Sequence, residues 1–351
     1  MSPTKDLETP KVSDQTPPTP ASPETPGTSW FSREEVQRYR HAGDENELAR
    51  AIATEDPTAS REEILFRYKL SQTVYLKDFD LPLLPGSAIQ IMRLGKDPNA
   101  GASDYLEVIQ TDPALASEVV RTSNSVLFAR SLLLSSAESE RLDLDEAIVR
   151  LGVSEIEKLA MLHSFNAKLF RVPGHGALVD AVIQHGVTVS LASQAVADEI
   201  NTSPTEAFLA GLFHDAGKLI LLGTIATVQR KLKWTAPNEL VHSAFDAFHT
   251  AVGGLLCEGW ELPEVIADAV RDHHAPARAA GSPVSQAVYL GNRIAHAIEP
   301  SGAANQPVAS KPTSEPTHWS KDDPVAAAAG MSEERLEALA GDVSSKLATL
   351  G

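Results

Sequence analysis

The sequence predicts an all-α protein, and three observations carry that prediction. Between about Leu81 and Ala297 there is almost none of the polar/β-branched alternation that makes half-buried strands. Apolar residues recur instead at intervals of three and four, the spacing of one helix face. The same stretch is densely punctuated by helix starts, in which a small polar residue is followed by proline or, three positions on, by a carboxylate.

Taken in order, residues 1–29 are rich in proline, threonine and serine and poor in large apolar side chains. Such a segment cannot offset the entropy of ordering, so a disordered tail is expected. Residues 30–78 ("REEVQRYR", "ENELARAIA", "REEILFRYKL") read as short helices leading into the main domain, 79–299. Asp112 and Pro113 supply an N-cap and a first-turn proline for "PALASEVVRTSNS". Gly152 is placed to end one helix, and "SEIE" at 154–157 reads as the capping box of the next. "SPTE" at 203–206 opens a helix expected to run through His214 and Asp215, and Ser282-Pro283 opens "VSQAVYLGNRIAHAIE". Residues 300–329 return to Pro, Ser and Ala and read as a linker. Leu336, Leu339, Leu347 and Leu350 then give residues 330–351 the character of an amphipathic terminal helix.

Composition bounds the function. With 42% hydrophobic and 22% charged residues, the 351-residue chain has ample material for a core. Its 47 acidic residues against 30 basic ones give a formal charge of -17, which disfavours nucleic acid and anionic membranes as partners. The single cysteine, Cys257, excludes an internal disulfide framework and suits a small core position in a reducing compartment. No apolar stretch near the N-terminus resembles a signal sequence, and no run approaches the roughly 18 apolar residues of a membrane span. A soluble, cytoplasmic protein is the expectation.

"GLFHDAGKLILL" places His214 and Asp215 side by side in an apolar run, with Lys218 one turn further on. Buried imidazole and carboxylate must be paired, hydrogen-bonded or metal-bound, since each otherwise loses its hydration without replacement. His185 falls on the apolar face of "VDAVIQHGVTVSLASQAVADEI" with Val182, Val189, Ala192 and Val196. His249 precedes "AVGGLLCEGWELP", whose glycines permit close helix approach, and His273-His274 stands where Pro276 is expected to stop a helix. These five histidines and one aspartate suit zinc, iron, manganese or nickel, one ion or two. The alternatives are a hydrogen-bonded structural cluster, dipole-favoured surface histidines at 273–274, and a salt bridge from Lys218 to Asp215 in place of a phosphate contact.

His185, "HDAGK" at 214–218 and the later histidines resemble the HD superfamily of metal-dependent phosphohydrolases. More closely, "QTDPALA", "GLFHDAGK" and "GWELP" within residues 79–297 resemble the HDOD family, the HD-related output domains of bacterial signalling proteins. The resemblance implies an HD-like helical bundle carrying an N-terminal helical layer over 79–170. It also implies a ligand set on His185, His214 and Asp215, additional histidines at 249, 273 and 274, and Lys218 near phosphate if the domain is an enzyme. The closing carboxylate of that set is replaced by Asn292, a neutral and weaker ligand, and the Gly-Tyr-Pro motif of two-metal relatives is absent. The expected role is therefore a binding or output module without turnover, its partner a signalling protein or a small nucleotide-like ligand. The alternative is a metal-dependent phosphohydrolase.

Overall fold

A computed structural model describes residues 30–40, 59–124, 143–166, 168–299 and 323–350, and every regular element among them is a helix. The expected tail 1–29 and the segment "ENELARAIA" lie outside the described residues. The described residues of the lead-in include α1 (Arg33–Tyr39), with a Ser32/Glu35 capping box, and α2 (Arg61–Tyr75), capped by Ser60. Trp30 fastens the lead-in to the bundle: its ring packs edge-on against Phe248 at 5.2 Å, and its indole nitrogen donates to the Ser243 hydroxyl at 2.9 Å.

The N-terminal layer consists of α3 (Gly86–Leu94), α4 (Ala102–Gln110), α5 (Pro113–Ser123), α6 (Leu144–Leu151) and α7 (Val153–Ser164) around Ile91, Tyr105, Ile109, Val119 and Ile156. Asp112 caps α5 as expected, accepting the Leu115 amide at 3.1 Å. The capping box expected at Ser154 is not formed. Gly152, at φ +77°, turns the chain so sharply that it ends α6 and starts α7 two residues earlier, and the Ser154 hydroxyl bonds to that of Thr205 instead. Trp260, of "GWELP", ties the layer down by donating to the Pro82 carbonyl at 2.8 Å.

The bundle beneath is built from α8 (Gly176–Glu199), α9 (Pro204–Phe213), α10 (Ala216–Leu232), α11 (Asn238–Gly259), α12 (Glu264–Asp272), the short α13 (Pro276–Ala279) and α14 (Pro283–Ile298). Helix α8 packs on α9 and α14, and α11 packs on α10 and α12. Ser203 caps α9 and Ser282 caps α14, each followed by proline. Two boundaries differ from expectation. The chain breaks at the His-Asp pair, where His214 closes α9 and Asp215 opens α10, so the pair stands at a helix junction and not within one helix. Pro276 does not stop the preceding helix; α12 already ends at Asp272, and Pro276 takes the first position of α13.

Residues 204–232 also qualify what was expected about membranes: together they are long and apolar enough to span one, but 83% of their most apolar window is buried in this fold. At the C-terminal end, residues 323–329 were expected to belong to a linker. They form α15 (Pro324–Ala328), because buried Asp323 both caps that helix and pairs with the buried Arg293 of α14. The remainder of the expected linker, 300–322, lies outside the described residues. Helix α16 (Glu333–Leu350) then buries Leu336, Leu339 and Val343 in a core shared with α8 and α14.

Candidate metal centre

The junction between α9 and α10 puts Asp215 at the middle of a histidine cluster. Helix α11 brings His249 to it, and the end of α12 brings His273. The approach of α11 depends on Gly217: a Cβ there would lie 1.9 Å from the His249 carbonyl oxygen, so no side chain fits between the helices. Asp215 Oδ1 then stands 3.4 Å from His249 Nε2 and 3.8 Å from His273 Nε2, and Oδ2 stands 3.5 Å from His214 Nε2. All four side chains are almost wholly buried. His274 is exposed beside His273, with a donor nitrogen near enough to join Asp215, His249 and His273 about one ion.

The hydrogen bonds around the cluster fix its chemistry. His214 Nδ1 lies 2.8 Å from the Gly211 carbonyl, His249 Nδ1 lies 2.6 Å from that of Phe245, and His273 Nδ1 lies 2.7 Å from that of Val270. A carbonyl only accepts, so each Nδ1 carries the proton and each neutral ring turns a bare Nε2 lone pair inward. Burial keeps the rings neutral, pushing His214 down to about 3 and His249 and His273 well below the ordinary histidine range. Burial alone would raise Asp215, but the Lys218 ammonium, 2.6 Å from Oδ2, holds its carboxylate well below the usual range. The result is one anion facing lone pairs with no hydrogen between them. His249 Nε2 and His273 Nε2 approach to 3.3 Å as two acceptors, while His214 Nε2 and Asp215 Oδ1 are buried without a hydrogen-bond partner. Such a site is satisfied by a cation, and backbone carbonyls that fix the outer ring nitrogen are the usual support of a histidine metal ligand.

His185 is differently placed. Its ring lies 5.1 Å from that of His214, within reach of an ion shared with His214 and Asp215, yet both its nitrogens are engaged. Nδ1 meets Glu299 Oε1 at 2.8 Å and Nε2 meets the Asn292 side-chain oxygen at 3.1 Å. Burial opposes protonation of this ring, but the Glu299 carboxylate outweighs it and raises His185 above the ordinary range. His296 stacks on it, with centroids 4.8 Å apart. Lys218 takes the salt bridge to Asp215 anticipated as the alternative to a phosphate contact, and Cys257 is wholly buried, its thiol pushed up to about 12 by burial.

Comparison with known proteins agrees with this architecture. The model of the HDOD domain matches residues 81–276, more than half of the chain. The chain belongs to the HDOD family. An HDOD domain protein of unknown function from Geobacter sulfurreducens superposes with a TM-score of 0.55 at 19% identity, over 81% of this chain and 94% of its own. A Shewanella amazonensis SB2B protein named, without established activity, as a metal-dependent phosphohydrolase gives 0.54 at 18%, over 80% and 99%. At these identities the likeness concerns the fold. A Treponema pallidum protein of uncharacterized function is 24% identical over 66% of this chain, and the match spans only 46% of that protein's length.

Within the HDOD match fall His185, His214, Asp215, Lys218, His249, His273 and His274, whereas Asn292 on α14 lies beyond it. The sequence showed no matching spacing for His296 and did not single out Glu299, although a signal existed. Asn292 and His296 sit at i and i+4 on one face of α14, Glu299 is the residue that closes the helix at i+7, and Asn292 and Glu299 meet His185.

Proposed function

We propose that this HDOD chain is a binding or output module of a bacterial signalling pathway that holds a divalent metal and turns over no substrate. One observation carries the reading: both nitrogens of His185 are hydrogen-bonded to side chains, Nε2 to the Asn292 amide where a ligating carboxylate would stand in an HD hydrolase. The first histidine of a hydrolytic set is thereby withdrawn from it. The remaining cluster is almost wholly buried, with Lys218 closing over Asp215.

Asp215, His249 and His273, with His274 at the rim, are the residues that would hold one ion, and His214 on the other oxygen of Asp215 offers a ligand to a second, of the iron, manganese, zinc or nickel class. In an HD hydrolase such an ion supplies Lewis-acid charge to a phosphoryl group. In this chain Asp215 provides the anionic ligand, the carbonyls of Gly211, Phe245 and Val270 aim the three rings, and Lys218 keeps Asp215 ionised. The partner proposed is a signalling protein or a small nucleotide-like ligand in the cytoplasm, and the net charge of -17 argues against nucleic acid and anionic membrane.

A second reading, a metal-dependent phosphohydrolase, is favoured by the inward lone pairs beside Lys218. Assay of the manganese- and iron-loaded full chain against a cyclic dinucleotide and a nucleotide, beside a His214→Ala/Asp215→Ala variant, separates the two. The module reading expects no turnover above that of the variant. Turnover abolished in the variant would establish the hydrolase.

A further inference from the structure

The residues that withdraw His185 from the central cluster form a donor set of their own. Asn292 presents its side-chain oxygen to Nε2, so that nitrogen carries a proton and donates it, and the other nitrogen, Nδ1, is turned toward Glu299. Nδ1 meets the Glu299 carboxylate at 2.8 Å across a single proton, and a divalent ion can take that proton's place between the two donor atoms. His296, one turn before Glu299 on α14, brings a third donor, and all three donor atoms lie within 4.8 Å of one another.

The geometry points to a second, peripheral transition-metal site made by His185 Nδ1, a Glu299 carboxylate oxygen and a ring nitrogen of His296, suited to a borderline divalent ion such as zinc or nickel. A tetrahedral ion with ligand bonds of about 2.0–2.1 Å sets its donors roughly 3.3 Å apart. The His185–Glu299 contact therefore opens by about half an ångström on binding, with the ion replacing a proton. His296, half-buried and stacked on His185, turns about its own side-chain torsions to direct a nitrogen at the ion. Glu299 is a quarter exposed, so the fourth position faces solvent, as it does where three protein ligands hold zinc beside water. The site rests on the same placement of His185 as the module reading, but it does not depend on whether the central cluster binds metal.

Zinc titration of the chelator-stripped full chain tests it, comparing the wild type with His296→Ala/Glu299→Gln and with His249→Ala/His273→Ala. The wild type should take up one more equivalent than the first variant, and the second variant should keep that equivalent. Should the first variant melt early, Glu299→Gln alone carries the test, and its peripheral equivalent should bind at least tenfold more weakly. Equal zinc uptake and affinity in the wild type and the Glu299 variants would overturn the site. Failure of the central cluster is a separate result, read as unchanged metal uptake in His249→Ala/His273→Ala.

Discussion

His249 and His273 on one side of Asp215 and His185 on the other are buried alike, yet they are oriented by different kinds of partner. The first two, with His214, are anchored through Nδ1 to a carbonyl three or four residues back in their own helix or helix end. That anchor belongs to the backbone and survives any change of neighbouring side chains. His185 is held by two side chains, Asn292 of α14 and Glu299, the residue that closes α14. The comparison teaches that a metal-ready histidine built on backbone carbonyls is robust, whereas the orientation of one held by side chains depends on those side chains being present.

The largest effect that can break the comparison is pH. His214, His249 and His273 titrate below their unfolded value of 6.5, so the stability they confer is fully present above pH 6.5 and is lost as pH falls through their folded values, for His214 about 3. His185 is raised, so its contribution is present below 6.5 and is lost as pH rises through its folded value. Urea unfolding of the metal-free chain should therefore show stability falling on acidification by up to about 1.4 kcal/mol per pH unit for each depressed histidine. His214→Ala should flatten that slope below pH 6.5, while His185→Ala should leave it unchanged there and abolish the gain in stability on acidification toward 6.5 from above. Equal slopes in both variants would show that the two sides are not distinct.

Next in size is Gly217. A methyl group there would meet the backbone of both His249 and Gly253, so Gly217→Ala should cost roughly 3 kcal/mol and scatter the cluster, read as a lower melting temperature and lost metal. Gly341→Ala is the control: nothing lies within 4 Å, and the substitution in α16 should be neutral or stabilise by up to about 1 kcal/mol. Removing the α9 cap by Ser203→Ala should cost about 1 kcal/mol in the same measurement.

The smallest effect expected is at position 292. Asn292→Asp should leave metal content and turnover unchanged, since a carboxylate at that position still faces the Nε2 of His185. A gain of hydrolysis in the manganese-loaded variant would show that the amide alone separates this module from an enzyme.

Much of the fold was legible because helix starts are local: Asp112, Ser203 and Ser282 each announce a cap within three residues. The break at His214-Asp215 was not, because the apolar run continues across it without proline or an exposed polar stretch. Nor was α15, whose order comes from the buried Arg293–Asp323 pair between segments 30 residues apart. In the site, helical spacing exposed the histidines but not their roles. Those depend on which ring nitrogen meets a carbonyl and which meets a side chain, and on Gly217 letting two helices touch, all matters of tertiary contact.

Metal content of the purified full chain, compared between the wild type and His249→Ala/His273→Ala by elemental mass spectrometry, tests the central claim most directly. The lone-pair cluster around Asp215 predicts that the wild type retains a transition-metal ion through gel filtration and that the variant, folded by circular dichroism, loses it. Identical metal content in the two proteins, or a wild type that binds none when supplied with zinc, iron, manganese or nickel, would contradict it.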